Sequence, residues 1–376
     1  MQGPSLARIE EHFAELPDPR RGNVVYPLLN IVVIALCAVI SGADDFVAIA
    51  RWARIKRQWL AQFLDLSAGL PSHDRFNAVL QAIRPAEFEK CLLRWTTALH
   101  EVTGGQVIAI DGKTLRRSFD RAAGKSAIHM VSAWATANHI SLGQVVVDGK
   151  SNEITAIPKL LEILELSGSI VTLDAMGCQK EIAQKIVDQR ADYVLAVKDN
   201  QPKLCQAIAD FFSARLDDDL AHVTHRRHET HEQAHGRTDD RYYYLAKLPA
   251  DFPQAAPWPG LQAIGMAIRV TEHDDGRVSD DVRYYISSGY FSGQRFAAAV
   301  RSHWGIENSL HWQLDVTFQE DQCRTRKGHA DANCSLLRRA ALSLLKNHRT
   351  EQIGVKNKRL YAAWNDDYRL QVLTGT

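Results

Sequence analysis

Two short apolar runs, VIAID from Val107 to Asp111 and SIVTLD from Ser169 to Asp174, each end in an aspartate followed by a small residue, Gly112 and Ala175. This pairing constrains the fold more than any other feature of the chain. An ionised carboxylate at the end of a core strand is costly to desolvate unless a hydrogen-bonded turn or a cation compensates it. Carboxylates at the ends of neighbouring strands converge outside the sheet edge, where open α/β sheets bind their ligands. Two hard oxygen donors that close repel each other unless a cation lies between them, which suits Mg²⁺ or Mn²⁺. A strand-end aspartate also serves as a simple turn cap. Two in matching contexts strengthen the metal reading and leave the cap open.

The surrounding pattern puts both runs in one α/β layer. From 103 to 216 the order is strand, strand, strand, helix, strand, helix, strand, helix, which reads as a mixed sheet flanked by helices. The strands are QVIAID, AIHMVSAWATA and ISLGQVVVD, the last two a hairpin about Asn138-His139, then SIVTLD and YVLAV. The helices are predicted over Glu153–Leu166, with Ser151 or Asn152 as cap, Gln179–Arg190 and Gln201–Phe212. The change to strands begins at Thr103-Gly104-Gly105. Before it, residues 1–102 read as all helix, over Ser5–Leu16, Leu28–Ile40, Phe46–Leu64, Ser72–Ile83 and Pro85–Glu101. After the α/β part, 217–290 reads as an inserted β-rich subdomain. Residues 291–376 return to helix: one capped by Ser292 and running through FAAAVRSHWGIENSLHWQLDV, then an amphipathic one from Ala330 to Lys346.

Charge narrows the partners. Forty-five Lys and Arg against 44 Asp and Glu leave a net charge of +1, so no global basic field advertises a polyanion. Any such partner must be met by local clusters: Arg51, Arg54, Lys56 and Arg57; Arg116, Arg117, Arg121 and Lys125; Arg324, Arg326 and Lys327. The stretch RWARIKRQW, Arg51 to Trp59, fits either a recognition surface or a plain amphipathic helix. Gly22 to Ala43 is uncharged, but Pro27 and Asn30 interrupt it, and about thirteen apolar residues fit a core helix better than a bilayer span. The six cysteines form no CxxC pair and read as reduced thiols. A cytoplasmic, nucleoid-associated protein without a membrane partner is expected.

A third acid would complete a metal site. Glu307, His311 and Asp315 are spaced i, i+4, i+8 and share a helix face with Phe296, Val300 and Leu310, so that face looks core-directed. A solvated face with two packed tryptophans, Trp304 and Trp312, is the plainer alternative. The histidines His222, His225, His228, His231 and His235 are irregularly spaced for a closed zinc site, and a solvated loop is expected there.

The segments AIDGKTLRRS, TLDAMGCQKEIA, YVLAVKDNQPKL and RSHWGIENSLHWQLDVTFQEDQCRTRKG, with DPRRGNVVYPL and ISGADDFVAIARWA nearer the N-terminus, resemble the DDE transposases of bacterial insertion sequences, within them the H-repeat-associated group. The resemblance spans nearly the whole chain. It implies a ribonuclease H-like core with a β-rich insertion before the helix that carries the last acid. It implies a catalytic, metal-binding triad of Asp111, Asp174 and Glu307, separated by 63 (174 − 111) and 133 (307 − 174) residues, and two Mg²⁺ or Mn²⁺ ions. It implies cleavage of DNA at terminal inverted repeats, strand transfer into target DNA and a homodimer that holds two ends together. The wider superfamily's Tyr, Arg and Lys around the glutamate are replaced by Val300, His303 and Leu314, so their roles do not transfer, and Arg301, His303 or His311 stand as substitutes. Lys113, Arg116 and Arg117 are expected to meet backbone phosphates, or else to form a solvated turn. Lys198 at the end of YVLAVK, Arg237 in HGRTDDRYY, Arg301, and the Arg324, Arg326, Lys327 cluster are further expected DNA contacts. A catalytically inactive DNA-binding relic, or a nuclease on the same core, is the alternative function.

Overall fold

The structure is a computed structural model describing residues 7–22, 24–99, 106–119, 126–147, 153–234 and 236–375. Ser5, Glu101, the Thr103-Gly104-Gly105 boundary, Arg121, Lys125, Ser151, Asn152 and His235 lie outside the described residues.

Nine strands form one mixed sheet. β1 (Val107–Thr114), β2 (His129–Ala135), β3 (Ile140–Val147), β4 (Ile170–Leu173), β5 (Asp192–Val197), β6 (His225–Ala234), β7 (Arg237–Lys247), β8 (Ala263–His273) and β9 (Val278–Ser287) lie in the order β3-β2-β1-β4-β5-β9-β8-β7-β6. The β2–β3 hairpin turns where the sequence expects it, with His139 in the left-handed region at φ 51. β1, β4 and β5 run parallel, joined through α7 (Glu153–Ile163) and α8 (Lys180–Asp188). Their residues, VIAI, IVTL and YVLAV, are apolar at every position but Thr172 because helices cover both faces.

The β-rich insertion expected over 217–290 supplies β6 to β9. β9 pairs antiparallel with β5, Leu195 opposite Ile286, so β6 to β9 extend the same sheet. The His/Arg-rich stretch is likewise strand β6, paired with β7 along its whole length, and not a solvated loop. Its ladder partner carries the tyrosines Tyr242, Tyr243 and Tyr244, and that β-favouring run holds the polar edge strand in register.

The N-terminal helices are α1 (Ala7–Phe13), α2 (Leu28–Ile40), α3 (Phe46–Ile55), α4 (Arg57–Leu60), α5 (His73–Ala82) and α6 (Pro85–Leu99). The expected Phe46–Leu64 helix breaks at Lys56, where the backbone leaves helical angles. Trp59 is buried and the guanidinium of Arg369 stacks on it at 4.0 Å, so the aromatics of RWARIKRQW face the core while Arg51, Arg54 and Arg57 face solvent beside the exposed Ile55. α2 is 13 residues long and buried over nearly its whole length; among the described residues no helix is long and apolar enough to cross a membrane.

The last helices close the molecule. α9 (Pro202–Ser213) packs on β8 and β9. α10 (Gly293–Ile306) lies across β1 and β4 on the other face, its N-terminus accepted by Oγ of Ser292 from Arg295 N at 3.2 Å. α11 (Ala330–Asn347) passes between α2, α5 and α6 on one side and β3 on the other, and α12 (Val355–Trp364) and α13 (Asp366–Thr374) follow it. Asn333 donates from Nδ2 to the carbonyls of Leu80 (2.8 Å) and Ile83 (2.9 Å), satisfying the C-terminal end of α5. One apolar cluster therefore joins the N-terminal helices to α11 and to Ile306, Leu310 and Leu314.

Candidate active site

Strand alternation on β1 sets the site. Ile108 and Ile110 face the core shared with α7 and α8, whereas Val107 and Ala109 face the helical side where α10 lies. Asp111 and Lys113 continue that second set, so both side chains are directed to the segment that carries Glu307. Asp111 is not at a strand tip, as the sequence suggests, but inside β1. β2 pairs with β1 as far as Thr114, while parallel pairing with β4 stops at Ala109 opposite Thr172. β1 therefore overhangs β4, and Asp111 sits on the overhang. Asp174 falls two residues beyond Thr172, in the same register as Asp111, and its Oδ1 accepts from Gly177 N at 3.1 Å.

The third acid arrives from a helix that changes character. α10 ends at Ile306, and Glu307–His311 and Gln313–Thr317 are π-helical, with Trp312 N bonded to Glu307 O and Phe318 N to Gln313 O. Such π-turns recur at functional sites because they re-aim side chains without ending the helix. Here Glu307 is 66% exposed and His311 only 4%. The imidazole Nδ1 lies 3.2 Å from Oε2 of Glu307 and 3.4 Å from Oδ2 of Asp111. The ligand atoms of Asp111, Glu307 and His311 all fall within 4.8 Å of one another, although 196 residues (307 − 111) separate the two acids.

Among the described residues no Lys or Arg forms an ion pair with Asp111 or Glu307, and the electrostatics record it. Burial above all, with the charges of Asp174, Glu153 and Glu307, pushes the carboxyl of Asp111 up to about 7, against the 2.9 Å bond from Gly112 N. A divalent cation would relieve that repulsion, so the donor set fits Mg²⁺ or Mn²⁺. Burial also lowers His311 to about 3, assisted by Arg339 and Lys113, so its ring is neutral at physiological pH. Gly112 admits a further acid: a Cβ there would lie 2.1 Å from Oε1 of Glu153 and 2.7 Å from Nε2 of His129, two side chains that themselves pair at 2.6 Å. His303, at the position of the superfamily arginine, lies close to Asp174 and Thr172, and burial lowers its pKa against the pull of Asp174.

Lys113 is the clearest departure from expectation. It is 8% exposed and does not present its charge to solvent; its Nζ bridges Oδ1 of Asp315 at 2.5 Å and Oε2 of Glu320 at 2.8 Å. Glu320 is fully buried, which alone would raise its pKa, yet Lys113, Arg339 and Arg338 bring it down to about 2. Asp315 and Glu320 are thereby committed to Lys113, which distinguishes them from Glu307.

The other expected DNA contacts divide. Arg116 (81% exposed), Arg117, Lys198, Arg324 and Lys327 face solvent. Arg326 is half-buried; its guanidinium stacks 5.0 Å from Phe119 and its Nε donates to the carbonyl of Arg117 at 3.2 Å, tying that loop down. Arg301 pairs with Glu232, and Arg237 lies 3.4 Å from Asp239. Both line a cavity of about 370 Å³ between the extended sheet and α10, where Arg283 stacks on Trp304 at 3.8 Å. Among the described residues the histidines of β6 form no metal-type group, and His231 instead pairs with Asp240 at 2.5 Å.

Comparison with known proteins decides the family. Residues 103–344 match the model of the Transposase DDE domain, and residues 10–96 match the DDE_Tnp_1-associated model. The chain belongs to the DDE transposase family. Asp111, Asp174 and Glu307 all lie within the matched domain. The chain is 40% identical over 373 residues to Putative transposase YncI of Escherichia coli O157:H7, covering 98% of this chain and 95% of that one. It is 38% identical over 376 residues to H repeat-associated putative transposase YhhI of Escherichia coli (strain K12), covering 99% of each. Inactive transposase YbfQ of the same strain is 34% identical over 76 residues, 20% of this DDE family member and 90% of YbfQ.

Proposed function

We propose that this chain is a metal-dependent transposase that cuts DNA at the ends of a mobile element and joins those ends to target DNA. The observation that carries the reading is the meeting of Asp111 and Glu307 from opposite ends of the DDE domain, with no Lys or Arg paired to either among the described residues. Asp111, Asp174 and Glu307 would hold the two Mg²⁺ or Mn²⁺ ions. Bound ions supply Lewis-acid activation of an attacking oxygen and charge stabilisation of a leaving one.

The protein's own contribution is placement. The overhang of β1 carries Asp111, the π-turn brings Glu307 to it, and Asp174 follows β4 near enough for its charge to act on Asp111. The hairpin β2–β3 beside parallel β1, β4 and β5 is consistent with a ribonuclease H-like core, extended by β6 to β9. Arg116, Arg117, Lys198, Arg324 and Lys327 supply solvent-facing charge for DNA phosphates, contacts that position the duplex without reading its sequence. Two element ends held together call for a homodimer.

Cleavage of a supercoiled plasmid carrying the gene's own flanking DNA, with Mg²⁺, Mn²⁺ or EDTA, tests the proposal. Metal-dependent cuts at the flanks, lost in Asp111→Asn and Glu307→Gln, are expected. DNA binding without cutting under either metal would instead identify an inactive relic, and cutting without joining a nuclease.

A further inference from the structure

We infer that Cys323 is a site of covalent thiol modification, exchanging with a small disulfide that carries carboxylates, and that the basic cavity it lines holds that disulfide. The site is separate from the Asp111 and Glu307 group. Its effect on DNA binding rests on the reading of Arg324 and Lys327 as phosphate contacts.

Buried charge is out of balance beneath this cavity. Three cations are buried together: Lys113, Arg338 (5% exposed) and Arg339. Two carboxylates answer them, Asp315 and Glu320, and both are bonded to Lys113. Glu89, another acid that acts on Arg339, is pushed up by burial to about 8 and so carries a proton at neutral pH. Among the described residues no carboxylate lies within ion-pair distance of Arg338. A guanidinium does not shed its proton, so one anion is missing. The groups that act on Arg338 are the thiols of Cys323 and Cys334 and, after them, the shared Glu320.

The two thiols are not equivalent. Burial pushes Cys334 up to about 12, as it does Cys37 and Cys178, and it raises Cys91 and Cys205 as well. Cys323 moves the opposite way. Burial opposes its ionisation, but Arg338 and Thr325, whose Oγ1 lies 3.4 Å from Sγ, hold the thiol below its ordinary value. A Cys323 thiolate is thus the missing anion, and a thiolate is the nucleophile of disulfide exchange. Cys323 is half-buried and lines a cavity of about 560 Å³ between α5 and residues 319–327. Arg338 reaches its floor, lining a small recess that shares Asp44, Asp45, Phe46 and Thr325 with the larger space.

The cavity's charge selects the reagent. Arg324, Arg326 and Lys327 line it. Its two acids are engaged elsewhere: Asp44 accepts from Nη2 of Arg359 at 2.8 Å, and Asp45 caps α3 by accepting from Ala48 N at 2.7 Å. A disulfide bearing carboxylates is therefore favoured over a cationic one. In the exchange, Sγ of Cys323 bonds to one sulfur as the S–S bond breaks. The other half leaves as a thiolate and takes up the proton that Cys323 gave to solvent. The product places carboxylates beside Arg324 and Lys327, so the affinity of the protein for DNA phosphates falls.

The experiment treats the full reduced chain at neutral pH with glutathione disulfide, which is anionic, or cystamine, which is cationic, and locates the adduct by peptide mapping. Cys323 should react about 10-fold faster than any other cysteine. Relative to each reagent's rate with a small free thiol, glutathione disulfide should be preferred about 10-fold at low salt, a preference that shrinks as salt is added. Arg338→Met should slow the reaction of Cys323 about 10-fold. The adduct should weaken DNA binding about 10-fold, reversibly with dithiothreitol, and Cys323→Ser should bind DNA equally well before and after treatment. A first adduct on another cysteine, a rate at Cys323 no greater than at Cys205, or no preference between the two disulfides overturns the inference. An adduct on Cys323 that leaves DNA affinity unchanged overturns its effect on DNA. Reduced protein that binds no DNA overturns the reading of Arg324 and Lys327 while the mapped thiol stands. The mapping on wild type needs no substitution, so a variant that fails to fold does not leave the question open.

Discussion

The charge of Asp111 is a stability liability in the metal-free protein, and replacing it with asparagine measures how large. Its carboxyl titrates near 7 in the folded state against an ordinary 3.8, so between those values the folded chain holds a proton that the unfolded chain has released. Because the native state binds more protons over that window, stability falls as pH rises from about 4 to about 7, then levels. The shift of about 3 pK units corresponds to at most about 4 kcal/mol at 1.36 kcal/mol per unit. A side chain 24% exposed is partly screened, which reduces the expectation to about 1–3 kcal/mol. With an unfolding entropy of about 2.1 cal/mol/K per residue over 376 residues, each kcal/mol moves Tm by about 1.3 °C. Asp111→Asn, which cannot ionise, should therefore melt about 1–4 °C above wild type at about pH 8 in EDTA, and level with it near pH 4. Mn²⁺ at a hundred times its Kd should then raise wild type alone, by about 2.7 kcal/mol or 3–4 °C. Differential scanning calorimetry across the pH series reads all three comparisons. An offset that is the same at both pH extremes would refute the electrostatic origin, and an offset of opposite sign at pH 8 would refute the direction.

Four further outcomes follow from other parts of the molecule. Glu307→Gln, at a 66% exposed position, should leave denaturant stability within about 0.5 kcal/mol of wild type while abolishing plasmid cleavage, which separates a chemical role from a structural one. Lys113→Met leaves the buried Glu320 without its nearest cation and should cost about 3–5 kcal/mol in urea unfolding; a loss below about 1 kcal/mol would mean that Arg338 and Arg339 suffice. Gly265→Ala on β8 places a Cβ 2.4 Å from Cζ of Phe296 and should cost about 1–3 kcal/mol by pushing α10 off the sheet, read as a lower urea midpoint at unchanged slope. Arg116→Ala should weaken DNA binding uniformly across sequences and reduce the slope of log K against log salt by about 1, whereas an unchanged slope would remove it from the phosphate contacts.

Local signals made the strands that carry the acids legible. VIAID, SIVTLD and YVLAV are short, β-branched and continuous, as strands covered on both faces must be, and each appears where its composition places it. The Ser292 cap and the Asn138-His139 turn are equally local and equally readable. What was not legible depends on pairing between distant segments. Nothing in AIDGKT says that β2 continues beside it to Thr114, yet that continuation keeps the chain extended past Asp111. In a turn Lys113 would reach solvent; in a strand, period two puts it on the face of Asp111, toward Asp315 and Glu320. The HRRHETHEQA stretch reads as a solvated loop because it lacks an apolar face, and only the tyrosine-rich partner strand makes it β6.

The histidine illustrates the same limit at the site itself. The spacing from Glu307 to His311 and Asp315 identifies one helical face, but not that the face divides in two. The π-turn and the overhanging strand split it: Glu307 and His311 go to Asp111, and Asp315 goes to Lys113. Five charged or polar groups at i, i+4 and i+8 on one segment and at i, i+2 on one strand thus sort into an uncompensated anionic pair with an imidazole and a compensated ion pair beside it. That sorting separates a group built to receive a cation from one that already contains its own. It also explains why Asp315 and Glu320, acidic and only a few residues along, are poor substitutes for Glu307: each would have to give up Lys113 first, and Glu320 has no solvent to repay the loss.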